Sequence, residues 1–238
     1  DNRKIKAVNE LSLELKKGEI LGIAGIDGNG QTELVEALTG LRKAAGGRVL
    51  MADKDITNKN PLAVFQHKIS SIPQDRQKHG LVLDFSVAEN LVLEIHGNAP
   101  FAERGILQHQ QIEEHAKKLI DKFDIRPQDC QNQIARSLSG GNQQKVIIAR
   151  EVNNDPQVLI AVQPTRGLDV GAIEYVHSAL VKQRDMDKAV LLVSLELDEV
   201  INLSDRIAVI YEGKIVKLLD AKDADVNEIG LLMAGGKA

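Results

Sequence analysis

The chain has 238 residues, of which 43% are hydrophobic and 27% charged, with a formal net charge of -4 at pH 7. This composition is typical of a globular protein with a buried core and excludes disordered and fibrous classes. A sequence pI near 5.9 and the lack of a basic run argue against a nucleic-acid partner, and Cys130 as the only cysteine excludes an internal disulfide and a thiolate-built zinc site.

The first part of the chain predicts strand, glycine-rich loop and helix in that order. Residues 6–15, "KAVNELSLEL", alternate apolar and polar positions like a half-buried strand, and "GEILGIAG" has the apolar run of a buried strand. The stretch "TELVEALTG" has the apolar spacing of a short amphipathic helix that closes on Gly40.

The remainder of the chain contains a long stretch with helical spacing, followed by segments with the pattern of strands. Helical spacing dominates residues 86–153, and strand character returns in "PQVLIAV", "KAVLLVSL", "RIAVIYEG" and "KIVKLLD", the last two predicted as a hairpin. These patterns predict an α/β fold with a mostly parallel sheet, antiparallel β elements and an inserted helical subdomain. We expect one domain over residues 1–238, with residues 1–76 and 154–238 as the α/β core and 77–153 as the helical subdomain.

The glycine-rich stretch "GIAGIDGNGQT" lies between a predicted strand and a predicted helix, as a phosphate-binding loop requires. Glycines let backbone amides converge on phosphate oxygens, and the helix N-terminus adds positive potential. The alternative is a tight glycine turn with no ligand, because a glutamine stands where such loops carry a lysine. The candidate phosphate residues are Gly25, Gly28, Asn29, Gly30, Gln31 and Thr32, with the Thr32 hydroxyl also placed for Mg²⁺.

A second motif, "LSGGNQQ" at residues 138–144, resembles the signature motif of the ATP-binding cassette (ABC) ATPases. Three further stretches match this family in order: "SIPQDR" with Gln74 at the Q-loop, "VLIAVQPTRGLDVGA" with Asp169 as the D-loop acid, and "VSLELDEV" at the switch segment. The resemblance covers essentially the whole chain. It implies a P-loop ATPase core that binds ATP and Mg²⁺, with Gln74 and Thr32 as the metal contacts.

The chain departs from the family pattern at four positions that the family uses for hydrolysis. Gln31 replaces the phosphate-binding lysine, Val162 the magnesium-holding aspartate, Gln163 the general-base glutamate and Leu195 the switch histidine. A neutral amide cannot take a proton at neutral pH, and a valine cannot accept a hydrogen bond from a metal-bound water. No catalytic residue is therefore intact, and we expect weak or absent hydrolysis with weak binding of ATP and Mg²⁺.

The signature motif, by contrast, is complete. In the family, two cassettes pack head to tail and each signature completes the partner's ATP site, so the resemblance implies that this signature and D-loop serve a partner cassette. The residues concerned are Ser139, Gly140, Gly141, Gln143 and Asp169.

The "NQQ" variant resembles the subgroup that energises import of simple sugars and nucleosides. It implies a second cassette on the same polypeptide, with this chain as the C-terminal one. It also implies membrane permease subunits, a substrate-binding lipoprotein as an indirect partner, and a peripheral place on the cytoplasmic face of the cell membrane.

Two other functions stay open from the sequence. The chain could be an active ATPase that uses substitute residues such as Asp27 or Asp75 near the metal, or a structural cassette that binds no nucleotide.

Phe85, Leu91 and Val92 are candidates either for the permease groove or for the core. No aromatic residue precedes Ile20 to stack on adenine, so either that residue lies upstream of this sequence or the adenine contacts are apolar, for instance at Val8.

Overall fold

A computed structural model describes residues 6–236 of the chain. The described residues form two compact units. The sheet unit comprises the residues up to 71, residues 156–163 and those from 180 onward, and the helical unit comprises residues 72–155 and 164–179. The strands are β1 (Ile20–Ala24), β2 (Leu50–Met51), β3 (Lys54–Asp55), β4 (Ile69–Ile72), β5 (Ala102–Glu103), β6 (Ile106–Leu107), β7 (Val158–Val162), β8 (Ala189–Ser194), β9 (Arg206–Tyr211) and β10 (Lys214–Asp220). The α-helices are α1 (Gln31–Leu38), α2 (Pro61–Gln66), α3 (Val87–Leu91), α4 (His109–Lys122), α5 (Gly140–Asn153), α6 (Val170–Asp185), α7 (Leu197–Leu203) and α8 (Val226–Met233).

The main sheet has the strand order β10-β9-β1-β8-β7-β4. Strand β1 pairs in parallel with both β8 and β9, and β7 pairs in parallel with β8. The terminal hairpin of β9 and β10 is antiparallel, as predicted. The predicted α/β class with a mostly parallel sheet and antiparallel elements is thus confirmed.

Alternating side chains of these strands fill two hydrophobic cores, one on each face of the sheet. Leu21 and Ile23 of β1 pack with Leu34 and Val35 of α1 on one face. Ala24 packs on the other face with residues of β9, α7 and α8. Strands buried on both faces read as continuous apolar runs, which is why the sequence identifies them well.

The first predicted strand is wrong, because residues 6–15 form no strand in the structure. The apolar side chains of Val8, Leu11, Leu13 and Leu15 nevertheless pack against the core of the sheet unit. Their alternation therefore reflects burial of one side of an extended segment, and the ladder of hydrogen bonds that defines a strand is not formed.

The helical unit contains the small hairpin of β5 and β6, which the sequence did not indicate. Its α3 begins with a capping box: the Ser86 hydroxyl accepts from the Glu89 backbone N–H, and the Glu89 carboxylate accepts from the Ser86 backbone N–H. Phe85, Leu91 and Val92 are the candidates either for the permease groove or for the core. In the structure Leu91 and Val92 are buried, whereas Phe85 is 44% exposed.

Candidate functional site

Three of the predicted site segments follow the carboxyl ends of neighbouring strands in the sheet unit. Ala24 at the end of β1 pairs with Ser194 at the end of β8, and Val162 at the end of β7 pairs with Val193. Because the three strands are parallel, the segments that begin at Gly25, Gln163 and Leu195 leave the same edge of the sheet. Open α/β sheets bind ligands at this edge.

The glycine loop between β1 and α1 has a backbone shape that requires glycine. Gly28 and Gly30 have φ angles of 87° and 101°, a region that other L-residues rarely adopt. A Cβ atom on Gly30 would lie only 2.2 Å from the Ala7 carbonyl oxygen. The loop is also held by Asn29, whose side-chain oxygen accepts from the Glu212 backbone N–H at 2.7 Å and whose carbonyl accepts from the Gly213 N–H at 3.0 Å.

The side chain of Gln31 turns back into this loop. Its Nε2 donates to the Ile26 carbonyl oxygen at 3.0 Å, and the residue is only 7% exposed. Helix α1 begins at Gln31, and Thr32 is exposed in its first turn. The segment Gly25–Thr32 contains no lysine or arginine, so a phosphate there would be held by backbone amides and the helix dipole without a side-chain cation.

The other two strand ends carry side chains that do not ionise. Val162 is buried, and Gln163 and Leu195 are half-buried. Gln163 has a φ angle of 44°, and its backbone N–H donates to the Val193 carbonyl at 2.7 Å. The edge of the sheet thus offers a loop that fits phosphate but, at these positions, no acid to anchor Mg²⁺ and no group to accept a proton from water.

The signature motif forms the start of α5 in the helical unit. Ser139 is the N-cap, and its Oγ accepts from the backbone N–H of Asn142 at 3.4 Å and from the Asn142 side-chain amide at 3.0 Å. Gln143 donates to the Ala135 carbonyl at 3.1 Å, and Gln144 donates to the Pro164 carbonyl at 2.8 Å. All three side chains of the "NQQ" triplet therefore fix the start of this helix.

The structure brings Asp169 to this signature. A Cβ atom on Gly141 would lie 3.0 Å from the Ala172 Cβ and 3.8 Å from Asp169 Oδ2. The other carboxylate oxygen, Oδ1, accepts from the Ala172 backbone N–H at 2.9 Å and caps α6. Ser139, Gly140, Gly141 and Asp169 thus form one surface of the helical unit, whereas the side chain of Gln143 is buried.

Gln74 and the two possible substitute metal ligands, Asp27 and Asp75, lie in different environments. Gln74 is half-buried in the helical unit, and Asp27 is exposed in the glycine loop of the sheet unit. The Asp75 carboxylate accepts from the backbone N–H groups of Lys78 and Gln77, which lowers its pKa below the usual value. Asp75 therefore already serves as a cap, which disfavours it as a metal ligand.

Sequence reasoning missed Arg76, which lies against the signature. Its Nη1 donates to the Arg166 carbonyl at 2.8 Å, although 90 positions separate the two residues. Arg76 is the last residue of the "SIPQDR" stretch, but no spacing or period in the sequence indicates its contact with the Arg166 carbonyl.

The described residues contain neither a cluster of metal-binding side chains nor a membrane-spanning helix. Among residues 6–236, His, Cys, Asp and Glu side chains form no group of three or more that could hold a metal ion. The described helices include none with the length and hydropathy to cross a bilayer.

A family model described as "ABC transporter" matches residues 8–166, which is well over half of the chain. The chain belongs to the ABC transporter family. Membership implies that the domain binds ATP, with Mg²⁺ as the metal that usually accompanies it.

The chain is similar to two curated import proteins along nearly its whole length. It is 53% identical over 235 residues to the guanosine import ATP-binding protein NupO of Bacillus subtilis (strain 168), covering 99% of this chain and 46% of that protein. It is 42% identical over 237 residues to the glucose import ATP-binding protein TsgD13 of Haloferax volcanii, covering 99% of this chain and 43% of that protein. The chain therefore spans about half the length of the curated relatives that it matches.

The fold is similar to that of a nucleotide-free ATP-binding cassette from an ABC transporter, solved as a crystal structure. The TM-score is 0.79 at 26% identity, with 95% of this chain and 93% of that chain covered. The expected P-loop ATPase fold of an ABC cassette is thereby confirmed.

Proposed function

We propose that this chain is the nucleotide-binding cassette of an importer for nucleosides or simple sugars. Family membership, the "GGNQQK" signature and similarity to guanosine and glucose import proteins support this assignment. In this role the cassette lies at the cytoplasmic face of the membrane, bound to permease subunits, and a substrate-binding lipoprotein delivers the solute.

The cassette's own ATP site binds nucleotide weakly and hydrolyses it slowly or not at all. The observation that carries this proposal is the edge of the sheet where β1, β7 and β8 end, because Val162, Gln163 and Leu195 offer neither charge nor base there. Phosphoryl transfer depends on positioning and electrostatic stabilisation, so their loss raises the barrier by several kcal/mol, on the order of 10³-fold in rate. Thr32 remains as a hydroxyl ligand for Mg²⁺.

The signature surface of the helical unit serves a second cassette. Ser139, Gly140 and Gly141 present a hydroxyl and backbone amides at the start of α5, an arrangement that favours an anion. The partner supplies the lysine, the base and the histidine, and this chain supplies the signature and Asp169. We place the partner on the same polypeptide, with this chain as its C-terminal cassette, as in the importers that the "NQQ" signature resembles.

Single substitutions in the complete importer, reconstituted in liposomes, test this division of labour. Ser139→Ala should lower ATP turnover by about tenfold or more, because the signature hydroxyl acts at the competent site, whereas Gln163→Ala should change turnover by less than about twofold. The opposite pattern, a loss on Gln163→Ala or Asp27→Asn, would establish an active site built from this chain's own residues.

Calorimetric titration with ATP and Mg²⁺, together with a phosphate-release assay, separates the remaining alternative. Binding without release by this cassette agrees with the proposal. No binding to the glycine loop, combined with a loss on Ser139→Ala, would instead identify a structural cassette that only completes the partner's site.

A further inference from the structure

The five-residue turn that follows Gln74 lies along the signature helix. This turn, Arg76–Gly80, is a π-helical turn of the helical unit. It contacts α5 at three levels: Arg76 at Gly140, Gln77 at Gln143 with an amide-to-amide hydrogen bond of 3.2 Å, and Gly80 at Ile147, where a Cβ atom would lie 2.5 Å from Cδ1. Positions 140, 143 and 147 share one face of a helix.

Arg76 makes the contact nearest to the signature serine. A Cβ atom on Gly140 would lie 2.8 Å from Nη2 of Arg76 and 3.5 Å from its Cζ, so the guanidinium packs directly against this glycine. The other terminal nitrogen, Nη1, donates to the Arg166 carbonyl at 2.8 Å. Arg166 lies three positions before Asp169. One guanidinium thus joins the turn after Gln74, the start of the signature helix and the segment that leads to Asp169.

The position of Arg76 is fixed by the residue before it. The Asp75 carboxylate accepts from the backbone N–H groups of Gln77 and Lys78 at 3.0 Å each and so caps the turn in which Arg76 is the first residue. A guanidinium can contact a glycine with one terminal nitrogen and donate to a carbonyl with the other, whereas a lysine ammonium offers a single nitrogen.

Arg76 holds this position at a cost. Its Nε is enclosed and has no hydrogen-bond partner within residues 6–236. An enclosed N–H group without a partner is unfavourable and rare in folded proteins.

We propose that Arg76 is a positioning residue that holds the signature turn and the Asp169 segment in one arrangement for the partner cassette. The inference rests on the proposed function, because both segments act at the partner's ATP site. With Arg76 in place, Ser139 and Asp169 reach that site together. Without it, either segment shifts alone and the competent geometry is populated less often.

The test compares three variants in the complete importer: Arg76→Gln, Arg76→Lys and, as a matched control, Arg104→Gln, an exposed arginine of the same unit. Arg76→Gln should lower kcat for ATP by about tenfold with a smaller change in KM, because the bond to the Arg166 carbonyl orders groups that act after ATP is bound. Arg76→Lys should recover part of the loss, and Arg104→Gln should match the parent.

Amide hydrogen exchange gives a readout that does not depend on activity. Arg76→Gln should speed exchange in residues 140–143 and 168–170 together, while the melting temperature stays close to that of the parent. Faster exchange across the whole helical unit, with a lowered melting temperature that Arg76→Lys does not relieve, would show a merely structural role and overturn the proposal.

Combination with Ser139→Ala separates the two proposals. If Arg76 acts through the signature, Arg76→Gln should cause little further loss in the Ser139→Ala background. Full multiplication of the two losses, or normal turnover by Arg76→Gln when Ser139→Ala is impaired, overturns the role of Arg76 alone. Normal turnover by Ser139→Ala itself overturns the proposed function, and the role of Arg76 with it.

Discussion

At the scale of single residues, Gln31 shows how the glycine loop keeps its shape without a lysine. The Gln31 amide donates to the Ile26 carbonyl inside the loop, so an internal hydrogen bond is retained. The positive charge is absent, and the loop's attraction for phosphate is limited to amides and the helix dipole. In other P-loops one lysine side chain supplies both the shape of the loop and its positive charge. In this loop the shape is kept although the charge is absent.

We predict that Gln31→Lys tightens ATP binding to this cassette without creating hydrolysis. A cation near the phosphates should lower Kd by about tenfold, whereas Gln163 still cannot act as a base. Calorimetric titration and phosphate release on the same sample measure the two effects. Gln31→Met is the matched control, since it keeps the length of the side chain and removes the amide. Phosphate release by Gln31→Lys would contradict the assignment of the missing base.

Glu94 is a carboxylic acid whose surroundings disfavour its ionised form. Although part of its side chain is exposed, its carboxyl group is largely enclosed, accepts a 3.0 Å hydrogen bond from Asn154 and faces the charge of buried Glu151. Desolvation, followed by repulsion from Glu151, raises the pKa of Glu94 from 4.5 to about 7. The native state therefore holds this proton over a range where the unfolded chain has released it.

The raised pKa of Glu94 predicts a pH-dependent gain in stability from Glu94→Gln. Below the unfolded pKa both states are protonated and Glu94 costs nothing, and the penalty grows as pH rises towards the folded pKa of about 7. The substitution should therefore raise the free energy of unfolding at about pH 8 and change it little at about pH 4. Urea denaturation at both pH values measures this difference. An equal gain at both, or the same gain in exposed Glu103→Gln, would contradict the prediction.

At the scale of elements, Asn90 organises the loop that precedes α3. The residue is fully buried. Its Oδ1 accepts from the Val82 backbone N–H at 2.9 Å, and its Nδ2 donates to the carbonyls of Val82 at 3.0 Å and Ser86 at 2.9 Å. One side chain thus satisfies the backbone of a loop that has no regular structure of its own.

We predict that Asn90→Asp destabilises the helical unit strongly. The substitution keeps size and shape but turns a donor of two hydrogen bonds into a carboxylate that faces carbonyl oxygens. The free energy of unfolding should fall by about 3 kcal/mol or more. Denaturation at neutral pH measures this loss, and Asn98→Asp, at an exposed position of the same unit, should cost less than about 0.5 kcal/mol. A similar effect of both substitutions would show that Asn90 does not hold this loop.

The strands could be predicted from the sequence where successive residues are all buried. The runs that became β1, β7, β8 and β9 are apolar on both faces of the sheet, and their alternation with helices predicted a mostly parallel sheet. The two-residue strands of the β2–β3 and β5–β6 hairpins were not predicted, since their exposed or half-exposed residues carry no hydrophobic period.

At the scale of the whole molecule, the residue types of the candidate site could be predicted by resemblance, but their bonding could not. Motif order alone indicated that Gln31, Val162, Gln163 and Leu195 stand at hydrolytic positions. The inward turn of Gln31 and the bond from Arg76 to the Arg166 carbonyl depend on backbone geometry between distant segments. Such contacts leave no period or spacing in the sequence.

Under the proposed function, a chain that combines an intact signature with an ATP site lacking charge and base forms an assembly with two unlike ATP sites. In the proposed assembly the competent site combines the partner's loop with Ser139 and Asp169 of this chain, and the other site contains Gln31 and Gln163. Only the first should turn nucleotide over. In that assembly the barrier to hydrolysis at the second site is higher by several kcal/mol, so ATP bound there leaves by dissociation before it is hydrolysed.

We therefore predict that the assembled importer, mixed with one ATP per site at a concentration that fills the weak site and acid-quenched after one turnover, contains ATP and ADP in about equal amounts, because only one site of each pair hydrolyses. Acid quenching and chromatography of radiolabelled nucleotide measure the ratio. The Ser139→Ala importer is the control, and its nucleotide should be almost entirely ATP, since the signature of the competent site is impaired. ADP alone in the parent complex would mean that both sites hydrolyse, and would contradict the assignment of the Gln31 loop as the inactive one.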